Sequence, residues 1–291
     1  MLTLKDHIKE ETDFLYLNET YDTLSEALIT FGGQAHPKFG NVVIMAGGAG
    51  SGKGFVKDNL VGMSGKVFDV DELKSLAMRS KKINSLVKKE FDVDLMNMNL
   101  RNPKNVSKLH AIIGDELNIP DKRKKAFYSS VLSAHPERKP NIIFDVTLKD
   151  LGKLEKLSYA VQELGYDKKK IHIVWVVNDI RVAAKQNVKR DRKVPTEILL
   201  NTHRGASQTM GDIIKMGGRI SKYMDGDLVI AFNKVGVDGE VEKSSKGGMY
   251  IKKGEYFYVK NSGKATIPYS DIEASIKAKI KDYVPKSIDW N

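Results

Sequence analysis

Val42-Val43-Ile44-Met45-Ala46-Gly47-Gly48-Ala49-Gly50-Ser51-Gly52-Lys53-Gly54 is an apolar run that passes into a glycine-rich turn and ends in Gly-Lys. An apolar stretch of this length bounded by glycine reads as a buried strand. Glycines at 47, 48, 50 and 52 can take positive φ, which lets consecutive N–H groups converge on one anion. Lys53 adds a point charge, and a helix beginning near it turns its positive dipole end to the same place. Strand, loop and helix together predict a cradle for nucleotide phosphates, formed by Gly47, Gly48, Ala49, Gly50, Ser51, Gly52, Lys53, Gly54 and Phe55. The pattern G-x-x-x-x-G-K-[ST] places a magnesium-holding hydroxyl after the lysine, whereas here Gly54 and Phe55 follow, so the metal must be held differently. A plain flexible turn would explain the glycines but not a lysine at this spacing.

Working outward, residues 3 to 31 carry helical spacing and end at Gly32-Gly33, which predicts one or two helices before the first strand, about 42 to 46. Lys66 to Asp71 reads as a second short strand, and residues 72 to 135 are mostly helical, with breaks near Asn102-Pro103 and Ile119-Pro120. Within them, about 80–135 is an insertion with basic clusters at 81–82, 88–89 and 122–125. Strands at 140–145, 171–177 and 227–233 alternate with helices at 150–164, 179–189 and 196–216, and the last strand is read as closing the sheet. Such alternation predicts an α/β fold: a P-loop NTPase-type parallel sheet flanked by helices. After Lys234, glycines at 236, 239, 247, 248, 254 and 263 separate short apolar stretches, and a helix is expected over about 269–283. The predicted division is 1–234, the P-loop domain with its helical insertion, and 235–291, a small C-terminal β-rich appendage with a terminal helix.

The 291 residues carry 48 Lys plus Arg against 37 Asp plus Glu, a net charge of +11 that favours polyanions, nucleotides or acidic sugars without selecting among them. There is no cysteine, which excludes a disulfide framework and a thiolate zinc site, and the six histidines show no metal spacing. The start lacks a hydrophobic signal core and no apolar run is long enough to span a bilayer, so a cytoplasmic protein with no membrane partner is expected.

Asp69 and Asp71 share a face if the strand keeps its period of two. Asp71 is read as a general base for an acceptor hydroxyl, with Lys74 one helical turn away; the bland alternative makes Asp71 the N-cap of a helix over 72–80. Asp145 ends an apolar strand, where a carboxylate reaches a magnesium-bound water or a substrate hydroxyl, and Thr147 adds a hydroxyl nearby. Lys189-Arg190-Asp191-Arg192-Lys193-Val194-Pro195 concentrates cations between two helices, as a lid over a nucleotide would; charge runs are usually solvated faces, but beside a phosphate loop Arg190 and Arg192 become lid residues. On the next helix Arg204 could serve the same charge, while His203 reads equally well as a structural contact. The basic clusters lack interleaved aromatics, which argues against a single-strand stacking platform, and Tyr256, Phe257 and Tyr258 read as core.

From Val42 to Asn233 the chain resembles the zeta-toxin-like P-loop kinases, relatives of polynucleotide kinases. The pieces that carry the resemblance are Gly47 to Lys53, Phe68-Asp69-Val70-Asp71 with Lys74, Ile143-Phe144-Asp145-Val146-Thr147, and Arg190-x-Arg192-x-Val194-Pro195 leading to Thr202-His203-Arg204-Gly205-Ala206. The resemblance implies that Lys53 binds phosphate, Asp71 is the base, Asp145 and Thr147 face the acceptor, and the lid arginines Arg190 and Arg192 stabilise the transferring group; with these, Asp69, Lys74 and Arg204 are read as substrate-binding and Asp145 as the metal ligand. It implies ATP or GTP with Mg2+ as cofactors. The acceptor it implies is a nucleotide-sugar or nucleic acid, including the hydroxymethylated DNA bases used by phage relatives, and an antitoxin could be a protein partner. Gly54-Phe55 departs from the family's Gly-Lys-Ser/Thr. Two other readings compete: an NTP-gated, non-catalytic nucleic-acid-binding protein, and a small-nucleotide kinase similar to adenylate kinases.

Overall fold

The computed structural model describes residues 29–34, 36–232, 241–243, 249–251, 255–261, 263–265 and 271–272. The helices expected over 3 to 31 and 269–283 lie almost wholly outside these residues. Of the first, Ile29 and Phe31 are described and are extended, not helical: Ile29 bridges Val61 and Phe31 bridges Gln34.

The strands are β1 (Val42–Ala46), β2 (Lys66–Asp69), β3 (Ile142–Asp145), β4 (Ile171–Val177), β5 (Leu228–Phe232), β6 (Val241–Lys243), β7 (Met249–Ile251), β8 (Glu255–Asn261) and β9 (Lys264–Ala265). Seven of them form one sheet in the order β2-β3-β1-β4-β5-β8-β9, and β6 pairs with β7. The first five pair in parallel, with Met45 opposite Asp145 and Asp69 opposite Asp145 in register. The chain therefore runs from β1 outward to one side through β2 and β3, then crosses to the other side of β1 through β4. That reversal makes the carboxyl end of β1 the switch point at which open α/β sheets bind ligands.

Period-two alternation gives each strand one side chain per face. One face collects Val42, Ile44, Ala46, Phe144, Ile173, Trp175 and Ile230. The other collects Val43, Met45, Ile143, Val174, Val176 and Val229. Both are buried, which is why β1 and β4 are apolar at every position but one. Helices α1 (Lys53–Asn59), α2 (Val70–Arg79), α3 (Lys81–Phe91), α4 (Pro103–His110), α5 (Ile119–Leu132), α6 (Leu151–Glu163), α7 (Ile180–Lys189) and α8 (Thr196–Met216) connect the strands. Val56 of α1 serves the second face, and Leu154, Leu157 and Val161 of α6 with Met210 and Ile213 of α8 serve the first.

The insertion has a small core of its own. Ala77 of α2, Val87 of α3, Val93, Leu95, Leu109 of α4, Ile112 and Ile113 form a separate cluster. Asn102 caps α4 through its bond from the Lys104 amide, and Pro103 follows at the first helical position, which explains the break there. A π-helical segment, Ala111–Glu116, continues α4.

β5 does not close the sheet. It is buried at every position, so it needs a neighbour on both edges, and β8 supplies the second by pairing antiparallel to it, Val229 with Tyr258 and Ala231 with Tyr256. Tyr256 and Tyr258 pack on the second-face core and Phe257 on the first, and the Tyr258 hydroxyl donates to the Thr30 carbonyl at 2.9 Å, so these aromatics, expected to form the core of an appendage, pack on the main sheet instead. The sheet thus continues past residue 234 into the segment read as an appendage.

Candidate active site

The loop between β1 and α1 extends the parallel ladder by one step, with the Val146 amide on the Met45 carbonyl at 3.1 Å and the Gly47 amide on the Thr147 carbonyl at 3.3 Å. Gly47, Gly50 and Gly52 have φ of 149°, 73° and 91°, positions that favour glycine. Gly48 does not share that conformation, contrary to the expectation from its residue type. Its requirement is spatial, because a Cβ there would lie 2.3 Å from the His203 ring. Gly52 precedes α1 without a side-chain cap, so the first amides of this helix face the loop's concave side. Ser51 is buried in the loop, and Phe55 turns its ring onto the second-face core instead of toward the loop. A Cβ at Gly54 would meet nothing within 4 Å, so the missing hydroxyl is not excluded by crowding.

Lys53 Nζ donates to the carbonyls of Gly47 at 3.0 Å and Gly48 at 3.3 Å, and lies 3.7 Å from Asp145 Oδ1. Asp145 stands beside Asp69 because β2 and β3 are parallel and in register. Burial pushes the Asp145 carboxyl up; Lys53 and Lys57 oppose this, and Asp69 and Asp71 reinforce it.

Asp71 is not a strand residue. β2 ends at Asp69 and α2 begins at Val70, so the period of two stops before position 71. The cap is Asp69, whose Oδ1 accepts from the Asp71 amide at 2.7 Å, and Asp71 in the first turn of α2 is left for other partners. Its Oδ1 accepts from Lys74 Nζ at 3.2 Å and from Arg192 Nη2 at 3.0 Å. Burial raises the Asp71 carboxyl, but Arg192 and Lys74, by charge and by hydrogen bond, outweigh it and hold it at about 2. Lys74 is itself buried, and burial lowers its ammonium despite Asp71.

Arg192 reaches this cluster because the segment between α7 and α8 is pinned on both sides. Asn187, buried at the end of α7, donates to the Val194 carbonyl at 2.7 Å and accepts from the Val194 amide at 2.9 Å. The insertion holds the other side: the Lys193 amide donates to the Leu100 carbonyl at 3.0 Å, and Arg101 Nη2 meets Asp191 Oδ1 at 3.0 Å. Arg192 Nε is buried without a partner. Of the other expected cations, Arg190 is the exposed C-cap of α7 and Arg204 is exposed on α8, and neither joins the Asp71 cluster in this conformation. Thr147 meets the loop through its carbonyl.

Three residues at the site were missed or left undecided by sequence. Thr202 Oγ1 accepts from the Ala49 amide at 3.0 Å, and His203 Nε2 donates to the Ala49 carbonyl at 2.8 Å, so α8 grips the loop. His110, the last residue of α4, is lowered by burial and then by Lys74 and Arg192, against Asp115 and Asp71, which puts it within electrostatic reach of the Asp71 cluster. The signal for the first two is their place in the quoted stretch Thr202-His203-Arg204-Gly205-Ala206, in which the sequence gives no role to Thr202 and only a structural contact to His203. Nothing in the spacing of the insertion marks His110.

Among the described residues no three His, Asp or Glu side chains gather as a metal site, and no helix is long and apolar enough to cross a membrane. Mg2+ is commonly held through only one or two carboxylates together with substrate phosphates, and Asp145 beside Asp69 at the loop fits that donor set.

No protein-family model matches the chain, and no curated protein matches it. Solved structures that resemble it include the AvrRxo1-ORF1 and -ORF2 complex with ATP, at 10% identity over 92% of this chain and 69% of that one, with a TM-score of 0.43. The same pair with sulphate ions aligns at 11% identity over 92% and 70%, with a TM-score of 0.40. A structure of the PezAT chromosomal toxin-antitoxin system of Streptococcus pneumoniae aligns at 10% identity over 92% and 93%, with a TM-score of 0.38. At these scores the likeness carries no inference, and the fold is read from the chain's own strand order and loop.

Proposed function

We propose that this chain is a zeta-toxin-like P-loop kinase that transfers the γ-phosphoryl group of ATP or GTP to a hydroxyl of a nucleotide-sugar or nucleic acid. The observation that carries the reading is the meeting, at the switch point of the sheet, of a lysine-bearing phosphate loop with Asp145, Asp71 and the pinned Arg192.

In this reading the loop amides and Lys53 take the β- and γ-phosphates. Asp145, with Asp69 beside it, would hold Mg2+, which supplies neutralisation of charge on the phosphate oxygens when bound. The acceptor hydroxyl approaches from the side of α2. Its oxygen bonds to the γ-phosphorus, the bond to the β–γ bridging oxygen breaks, and the hydroxyl proton passes to Asp71. While Arg192 sits on Asp71 the carboxylate is a weak base, near 2. Transfer of the guanidinium to the γ-phosphoryl oxygens returns proton affinity to Asp71 at the moment it is needed and places a cation on the transferring group.

The test is γ-labelled ATP and GTP offered with a nucleotide-sugar, a single-stranded oligonucleotide and a nucleoside monophosphate panel. Label appearing on an acceptor, and lost in Asp71→Asn, supports the proposal. Salt-sensitive oligonucleotide binding without transfer, surviving Lys53→Ala, would replace it with the non-catalytic reading. Label on a monophosphate alone would replace it with a small-nucleotide kinase.

A further inference from the structure

We infer that Thr202 and His203 are positioning residues that set the phosphate loop from α8, and that Gly48 is glycine to admit the His203 ring. The inference rests on the reading of residues 47–54 as a phosphate loop, and it assigns a role to residues that this reading does not use.

Ala49 sits at the tip of the loop, and both of its backbone groups are taken by adjacent side chains of one helix. Its N–H donates to Thr202 Oγ1 at 3.0 Å, and its carbonyl accepts from His203 Nε2 at 2.8 Å. Thr202 is oriented in turn, since its hydroxyl proton is committed to the Leu199 carbonyl at 2.8 Å, which leaves a lone pair for Ala49. His203 must carry its proton on Nε2 for the bond to form. Burial lowers its imidazole, and the Lys53 ammonium lowers it further, against the Ala49 bond and Asp179. The neutral ring with an Nε2 proton is the form that can lie close to Lys53 without repulsion.

The ring also occupies the only space a side chain at position 48 could use, because a Cβ there would fall 2.3 to 2.6 Å from three of its atoms. A flexible glycine loop held only by its ends would sample many shapes, and a loop pinned at Ala49 is pre-formed for its anion. α8 begins at Thr196, directly after the segment that carries Arg192. The helix that fixes the loop is thus the one from which the lid departs, which keeps loop and lid in register.

The experiment measures ATP and GTP binding by calorimetry, together with kcat and KM, on the full chain with Mg2+. Thr202→Val and His203→Leu remove one bond each at nearly constant volume. Each is expected to weaken nucleotide binding about 3- to 10-fold, the range for one buried hydrogen bond, and to lower kcat more than that as the phosphates are misplaced. His203→Gln, which keeps a donor near the Nε2 position, and Thr202→Ser are expected to recover most of the loss. Gly48→Ala should act like His203→Leu, and the two should be non-additive when combined.

Unchanged binding and turnover in a folded Thr202→Val, His203→Leu double variant would overturn the inference. If the wild type binds no nucleotide, the phosphate-loop reading itself fails, and the clamp is then read from amide exchange at Ala49 in the nucleotide-free protein. That exchange should be slow in the wild type and fast in Thr202→Val, and equal rates would overturn the clamp. Where Thr202→Val or His203→Leu does not fold, Gly48→Ala takes its place, since its Cβ displaces the His203 ring: weakened nucleotide binding supports the inference, and unchanged binding overturns it.

Discussion

The glycine-rich loop, residues 47–54, and the segment 190–195 each bring a cation to a carboxylate at the switch point, Lys53 to Asp145 and Arg192 to Asp71, but they are held by different means. The loop takes its shape from backbone, with glycines at φ of 149°, 73° and 91° and a ladder that runs on from β1 to the Thr147 carbonyl, and two hydrogen bonds between uncharged groups, with Thr202 and His203, tie its Ala49 to α8. The 190–195 segment has little regular structure and is held by the Asn187 side chain seven residues back and, from residues 100 and 101, by one backbone bond to Lys193 and the exposed Arg101–Asp191 ion pair, while its Arg192 is held by an ion pair to Asp71. A site fixed by backbone keeps its shape when a ligand leaves, whereas one fixed by ion pairs can trade partners. Under the proposed function, this difference is what a pre-formed phosphate cradle and an arginine that exchanges partners require.

The strongest way to break this comparison is at the reacting groups. Asp71→Asn is expected to lower kcat by about 10²- to 10⁴-fold, the usual size of a general-base contribution, with nucleotide affinity kept. Lys53→Ala should lower kcat by about 10²- to 10³-fold and weaken nucleotide binding as well. Steady-state kinetics with calorimetry separates the two, and equal effects on binding would erase the distinction between base and cradle.

The exchange of partners at the lid edge is sharpened by Arg192→Gln. Arg192 contributes to holding the Asp71 carboxyl at about 2, so its removal should raise the titration toward the ordinary carboxylate value, as should ATP binding to the wild type. Carbon-13 NMR of the aspartates reads both. Because this folded-state pKa is depressed, the pair's stabilisation is present above the unfolded value of about 3.9 and is lost as pH falls toward about 2. The acid limb of a thermal-stability profile should therefore be flatter in Arg192→Gln. Asp71 is 57% accessible, which keeps the effect small.

Asp145 has the opposite sign. Burial and the neighbouring carboxylates raise it, so its ionised form is a cost at neutral pH that appears as pH rises through its folded pKa. Asp145→Asn should raise the Tm of the nucleotide-free protein at pH 7, and Mg2+ should raise the Tm of the wild type but not of the variant. A lower Tm in Asp145→Asn would contradict the assignment of cost.

How far these features were legible depends on the range of the interaction that makes each one. β1 and β4 are written as contiguous apolar runs and match the sequence expectation closely, and of the loop glycines expected at positive φ, Gly47, Gly50 and Gly52 match while Gly48 does not. The strand end at Asp69 was misread because a period of two continues on paper to Asp71, while the capping bond from Asp69 to the Asp71 amide starts a helix instead. β5 reads as the strand that closes the sheet, and the later Tyr256-Phe257-Tyr258-Val259 stretch as part of a separate β-rich appendage, because β8 begins 23 residues on across a glycine-rich stretch that gives no register. Asp71, Lys74 and Arg192 were each singled out, but their shared contact spans a sequence separation of 121 and depends on the insertion that straps the lid. His110 has no sequence signal, because it comes near Asp71 only through the apolar cluster that Leu109 of α4 shares with Ala77 of α2.

The smallest expected effect lies at Gly54. The space around it is open, so Gly54→Thr should fold with a stability change within about 1 kcal/mol and should tighten Mg2+-dependent nucleotide binding by restoring a hydroxyl. Arg101→Ala, which removes an exposed ion pair of the strap, should cost no more than about 1 kcal/mol while loosening the lid edge, read as faster amide exchange at Lys193.

The most direct measurement is calorimetric titration of the full chain with ATP and with GTP in the presence of Mg2+, repeated on Lys53→Ala. The account predicts saturable one-site binding of at least one of the two nucleotides, weakened about tenfold or more by the substitution. Absence of binding by folded wild-type protein, or equal binding by both proteins, would contradict it.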